Sequence, residues 1–317
     1  MILIGTSGYS FRDWIGPFYP PGIESRQMLD FYVREFGTVE VNSTYYRIPH
    51  PATFHAMAKK TPPGFEFVVK AHHDHTHKRV ADLELDDSFR RSMEPLLEVG
   101  KLSGVLAQFP NSFRLSRPNV GYLEQLKRRL PDVPLFVEFR HESWIAEEVW
   151  PELQARGLGY VSVDEPDLPG LVSPVARATG DIAYVRFHGR NKVNWYRDEG
   201  GWPPDSRTRT RGARAGASRT PTASESGAPK PLGPLFSGVP AGPAETAKAR
   251  PLPAGSRQLL RYDYMYSEDE LKEWVGKIRD LAANTKKTFV FFNNCHAGQA
   301  ATSAKLMRRM LEGEGLL

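Results

Sequence analysis

Cysteine is almost absent from this chain. Cys295 stands alone among 317 residues, which excludes an intrachain disulfide and makes a reducing, cytoplasmic location the default expectation. Long apolar runs are missing too: none approaches the roughly 18 residues of a membrane span, so no membrane partner is expected. Ile2-Leu3-Ile4-Gly5 follows the initial methionine with no basic leader and reads as a first strand rather than a signal peptide. No Gly-x-Gly-x-x-Gly follows that strand, which removes the main sign of a dinucleotide-binding domain. An excess of one charge is also lacking over most of the chain. The net charge is +5, but residues 201–258 hold nine Lys or Arg against three Asp or Glu, a local +6 that leaves −1 for everything else. The pI of 9.2 therefore says little about the folded part.

Residues 201–258 are rich in Gly, Pro, Ala, Ser, Thr and Arg, with Trp202 and Phe236 their only aromatics. Such a stretch buries too little apolar surface to offset the entropy of ordering, so a disordered insertion is expected. The chain then divides into 1–200, the insertion 201–258, and 259–317, the outer two belonging to one domain. Nucleic acid could be engaged through the basic insertion; a tolerated loop expansion is the plainer reading.

What is present is alternation. Eight runs rich in Val, Ile and Phe read as strands: Ile2–Ser7, Thr38–Asn42, Phe65–His72, Ser103–Phe109, Leu135–Arg140, Gly159–Asp164, Ile182–His188 and Thr288–Asn294. Helix-period segments lie between most of them: Gln27–Phe36, Ser88–Val99, Val120–Leu130, Ala146–Arg156, Ser267–Ala283 and Gly298–Leu311. Strands alternating with helices argue for a parallel sheet, and a count of eight favours closure into a (β/α)8 TIM-type barrel over an open α/β sheet. The insertion falls between strands seven and eight.

Polar residues recur at the C-terminal ends of these strands, where barrel enzymes build their sites. Taking the apolar set to face the helices, strand alternation aims Ser7, Glu40, Asn42, Lys70, His72, Gln108, Glu138, Arg140, Ser162, Asp164, Arg186, His188 and Asn294 at the barrel axis. A buried ion-pair network adds little stability over apolar packing, so this many at one end point to a site. Arg140, Arg186 and Lys70 suit a phosphate or carboxylate. Glu138 or Asp164 with His188 suits proton transfer, and Glu40, Asn42, Gln108 and Asn294 are candidate substrate ligands. His72, His73, His75 and His77 with Asp74 could hold a transition metal, although their spacing matches no metal motif, and no cofactor follows from the sequence. Cys295 reads as a small buried thiol. The aromatic groups Gly8–Trp14 and Tyr262–Tyr266 could line a pocket or fill the core.

Several of these segments carry a resemblance. Gly5-Thr6-Ser7-Gly8-Tyr9 with Trp14, Val39-Glu40-Val41-Asn42-Ser43-Thr44-Tyr45-Tyr46, Gln108-Phe109-Pro110 and Val137-Glu138-Phe139-Arg140-His141 occur in order. So do Lys70-Ala71 with Thr76-His77, Tyr184 to Arg190, Tyr262 to Leu271 and Phe292-Asn293-Asn294. Together they resemble the YecE-like family, catalogued as domain of unknown function 72. The resemblance implies a barrel with a polar pocket at the strand ends and no particular reaction. Its matching positions are Glu40, Asn42, Lys70, His77, Gln108, Glu138, Arg140, His141, Arg186, His188 and Asn294. Residues 201–258 stand apart from it. Two functions fit this reading: an enzyme acting on a small anionic substrate, phosphorylated or nucleic-acid-derived, by acid/base or hydrolytic chemistry, or a non-catalytic module binding a metabolite or nucleic acid.

Overall fold

In the computed structural model, which describes residues 1–130, 133–195 and 260–317, eight parallel strands close in sequence order into a barrel. They are β1 (Ile2–Ser7), β2 (Thr38–Val41), β3 (Glu66–Lys70), β4 (Leu102–Gln108), β5 (Leu135–Glu138), β6 (Leu158–Asp164), β7 (Ile182–Phe187) and β8 (Lys287–Phe292). Closure is made by β8, which pairs with both β7 and β1. The proposed insertion 201–258 lies outside the described residues.

Seven α-helices lie among the described residues: α1 (Ser25–Tyr32), α2 (Pro51–Lys60), α3 (Leu83–Glu98), α4 (Arg117–Arg129), α5 (Val149–Ala155), α6 (Glu268–Ala283) and α7 (Gln299–Gly313). Their starts follow capping chemistry. Asp82 and Ser116 accept backbone N–H bonds ahead of α3 and α4, and Ser267 with Glu270 forms a reciprocal capping box at α6. The periodicity reading passes over α2. Its apolar face is only Phe54, Met57 and Ala58, too short to register as a period. Pro51 in its first turn was the available signal. No helix intervenes between β6 and β7; residues 165–181 cross as irregular chain. None of the helices is long and apolar enough to cross a membrane.

The interior is layered. At the N-terminal end Lys287 pairs with Glu66 at 2.6 Å. Above it is an aromatic layer in which Tyr184 meets Phe136, Phe289 and Phe291 at centroid distances of 5.0, 6.0 and 5.2 Å. Phe136 fits because Gly104 and Gly159 leave it room; a Cβ at either would sit 2.6 Å from its ring. This apolar plug makes the barrel a packed core and confines the polar residues to its C-terminal mouth.

Candidate functional site

Arg186 is the centre of the mouth. Fully buried on β7, it donates from Nη1 to Glu138 Oε2 on β5 and from Nη2 to Glu40 Oε1 on β2, both at 2.6 Å, with Ser7 Oγ 3.4 Å from Nη2. Tyr184 Oη donates to the other Glu40 oxygen at 2.6 Å. Three strands are thus tied across the axis by one guanidinium. Glu138 Oε1 lies 2.8 Å from Arg140 Nε and 3.1 Å from His188 Nε2. Asn293 Nδ2 lies 3.0 Å from His188 Nδ1, while His188 Nε2 faces both the Glu138 carboxylate and, at 3.1 Å, Arg140 Nη2. Arg140 Nη1 donates to Glu165 Oε2 at 2.7 Å, and Lys70 Nζ donates to Gln108 Oε1 at 2.7 Å.

The expected inward set is met for Ser7, Glu40, Lys70, Gln108, Glu138, Arg140, Arg186 and His188. Asn42 follows the end of β2, partly exposed, with its Oδ1 buried and without a hydrogen-bond partner. Two strands correct the expectation. Asp164 faces the helices: its carboxylate accepts from Trp274 Nε1 (2.7 Å), Tyr266 Oη (2.6 Å) and Arg190 Nη2 (2.7 Å). Ser162 shares that face and meets the backbone of Arg177. In the β6–β7 register Val161 and Val163 align with inward Tyr184 and Arg186, so valines face the axis on β6. Asn294 likewise points outward, donating to Tyr264 O at 2.8 Å and lying 3.2 Å from Ser303 Oγ of α7. The inward polar residue at this end is Asn293, which follows β8 on the face of Phe289 and Phe291. Besides the pocket-wall residues Asn111, Arg114, Trp195 and Arg261, which lie off the strands, two residues of the ring went unseen, Glu165 and Asn293. Each continues the alternation of its strand (Val161, Val163, Glu165; Phe289, Phe291, Asn293) once apolar residues are allowed to face the axis.

Charge and burial set the titration of this cluster. Burial would raise the Glu138 carboxyl, but the Arg186 and Arg140 guanidiniums, with His188, hold it well below the usual carboxylate range. Burial, reinforced by Arg140, pushes His188 well below an ordinary histidine, so its ring is neutral. Burial wins outright at two other groups. Glu165 is pushed up to about 7 despite Arg140. Lys70 is pushed down to about 7 by burial and Arg186, which outweigh Glu138 and Glu40.

A pocket of about 960 Å³ opens above the ring, lined by His77, Gln108, Asn111, Arg114, Arg140, His141, Glu142, Trp195 and Arg261 together with the Pro169–Leu171 turn. Its walls are braced from below. Asn111 Nδ2 donates to Arg140 O and Gly170 O, and Val172 N–H donates to Glu165 Oε1 at 3.1 Å. Arg140 and Arg261 each lie 5.7 Å from the Trp195 ring centroid. Tyr262, from the second aromatic group, sits 6.2 Å from the His188 ring. The first group goes to the core instead: Trp14 is fully buried and bonds Cys295 O.

The four histidines after β3 do not form one cluster. His75 is buried against Asp86 at 3.0 Å, and His77 Nδ1 meets Thr76 Oγ1 and faces the pocket. Ligand atoms of His72, His73 and Asp74 lie within 4.8 Å of one another and could hold a metal, but Lys78 Nζ, 2.8 Å from Asp74 Oδ1, already occupies one side of that carboxylate. Cys295 is buried with its Sγ 3.2 Å from Ser7 O, and burial pushes its thiol far up; it is no nucleophile.

Comparison with known proteins agrees with this architecture. The sequence model of the family described as Protein of unknown function DUF72 matches residues 3–220 and 240–316. The UPF0759 protein YunF of Bacillus subtilis is 30% identical over 99% of this chain and 96% of its own length. The crystal structure of a DUF72 family protein from Thermotoga maritima aligns with a TM-score of 0.74 at 37% identity, over 98% of this chain and 99% of that one. One from Enterococcus faecalis aligns at 0.73 and 23% identity over 98% and 96%, a likeness of fold. With its family model covering both described arms of the barrel and a relative alike from end to end, the chain belongs to the DUF72 family.

Proposed function

We propose that this barrel is an enzyme that binds a small anionic substrate, phosphorylated or nucleic-acid-derived, at the C-terminal mouth and acts on it by acid/base chemistry. The observation that carries the reading is the pocket lining. Arg114, Arg140 and Arg261, with His77 and His141, face a single carboxylate, Glu142. Guanidiniums grouped in this way suit the planar, bidentate recognition of phosphate or carboxylate.

Proton transfer falls to Lys70. Glu138 is engaged by both Arg186 and Arg140, His188 is fully buried between Glu138, Arg140 and Asn293, and Asp164 faces the helices. Lys70 is partly exposed, touches the lining residue Gln108, and at about 7 exists in both protonation states at neutral pH. Glu165 has both oxygens engaged, by Arg140 and Val172, and serves to position Arg140.

Arg114 is exposed, so replacing it leaves the core intact. Inorganic phosphate and a panel of phosphorylated small molecules are expected to raise the Tm of the wild-type chain, with Arg114→Ala weakening the binding about tenfold, the worth of one charge-assisted contact. Unchanged binding in R114A, or no anion bound by the wild type, would sink the reading.

A further inference from the structure

We propose that Lys70 is a nucleophile and that the substrate class is an anionic carbonyl compound, an aldehyde or ketone carrying phosphate or carboxylate, held on Nζ as an imine. The inference rests on the anion-binding reading of the same pocket and adds the reacting group. Lys70 lies at the end of β3, and the partners of its Nζ are the Gln108 amide oxygen at 2.7 Å and the Tyr45 ring, 4.8 Å to the centroid. No carboxylate pairs with it among the described residues. Those at its depth are already engaged, Glu40 and Glu138 by Arg186, Glu138 and Glu165 by Arg140.

The contrast within the same barrel is instructive. Lys287, inward at the opposite end, has Glu66 at 2.6 Å; that is how an interior lysine is held for structure. Lys70 is instead given an uncharged acceptor, an aromatic face and two guanidinium neighbours. A compact ammonium so placed gives up its proton readily, and a free amine beside an anion pocket is what imine formation needs. The unprotonated Nζ adds to the carbonyl carbon: a C–N bond forms, the C=O π bond breaks, and the oxygen takes a proton to give a carbinolamine. Loss of that hydroxyl, with the remaining N–H proton, as one water leaves the C=N bond. No electrons are exchanged with any other reactant.

Groups facing Lys70 come from every neighbouring element: Glu40 of β2, Tyr45 after it, His77 after β3, Gln108 of β4, Glu138 of β5, Arg140 after it and Arg186 of β7. Their net effect places its titration at about 7, so its unprotonated fraction at neutral pH is on the order of a thousandfold above that of an ordinary lysine.

The test uses the full wild-type chain with pyridoxal 5′-phosphate as an aldehyde bearing a phosphate, borohydride reduction, and peptide mapping. Selective labelling of Lys70, rising as pH passes through about 7 and absent from both Lys70→Arg and Lys70→Met, is the expected result. Labelling spread over surface lysines, or a midpoint near that of ordinary lysine, overturns the proposal; both are read on the wild type, so a misfolded variant does not blur the result. Two outcomes separate this claim from the one beneath it. Phosphate binding that depends on Arg114 without Lys70 labelling refutes the imine and leaves the anion site standing. Equal labelling by phosphate-free pyridoxal, unaffected by R114A, keeps the nucleophile and refutes the anion site.

Discussion

Glu138 and Glu165 touch the same guanidinium, yet they titrate in opposite directions. Glu138 is shared by Arg186 and Arg140 and accepts from His188; its charge is over-compensated, and it stays ionised. Glu165 has one cation and one backbone N–H, too little to repay its desolvation. Its protonation therefore matters to stability. Its carboxyl titrates at about 7 in the fold against the usual 4.5, so the folded state holds the proton more tightly. The corresponding stability is full below pH 4.5 and is lost as pH rises to about 7, at most about 3 kcal/mol from such a shift. Glu165→Gln imitates the protonated acid. In urea unfolding it is expected to match the wild type at pH 4 and exceed it by up to about 3 kcal/mol at pH 8. A variant equally destabilised at both pH values would mean that the ionised form is the one the fold prefers.

Among the elements, β6 and β8 show what alternation can and cannot disclose. The period-two pattern was plain in β6, whereas β8 is almost continuously apolar; on β2, β5 and β7 the polar-inward choice holds because Glu40, Glu138 and Arg186 satisfy one another across the axis, and on β3 because Lys70 is held by Gln108 of β4. On β6 the same choice fails. Val161 and Val163 extend the apolar plug upward, and Asp164 finds donors on α6 and the segment before it, partners far away in sequence that no strand pattern contains. A face can be read from a strand; its direction depends on where the partners are. Asp164 is accordingly a structural clamp that ties Tyr266, Trp274 and Arg190 to the end of β6. Asp164→Ala strands the buried Trp274 N–H and leaves Arg190 to Glu273 and the more distant Glu270, a loss of about 3–5 kcal/mol. Glu273→Ala, removing the exposed end of the same chain of contacts, is expected to cost less than about 1 kcal/mol. Chemical denaturation of the two variants side by side decides it; equal effects would mean that Asp164 is not the clamp.

Over the whole molecule, charge is divided between two places. The mouth concentrates cations on pocket walls while its interior is nearly balanced, Arg140, Arg186 and Lys70 against Glu40, Glu138 and Glu165. Residues 201–258 carry the other excess, +6, and connect to the barrel between β7 and α6, on the side where the pocket opens. These two sources make different demands on a ligand. On the proposed reading the pocket selects a small anion by a few directed contacts, and salt is expected to weaken that binding only modestly. For the basic stretch the expected contribution, from its charge alone, is sequence-independent attraction to a polyanion that weakens steeply as salt rises. If six net charges each neutralise a phosphate on a single-stranded oligonucleotide, log K should fall against log salt with a slope of about −4. Replacing 201–258 with a short Gly/Ser linker is expected to abolish that binding and its salt slope while leaving phosphate binding, and its dependence on Arg114, as in the wild type. An oligonucleotide that binds the shortened chain with the same slope would place the nucleic acid on the barrel itself, and the pocket would then have to be read as the seat of a nucleic-acid end.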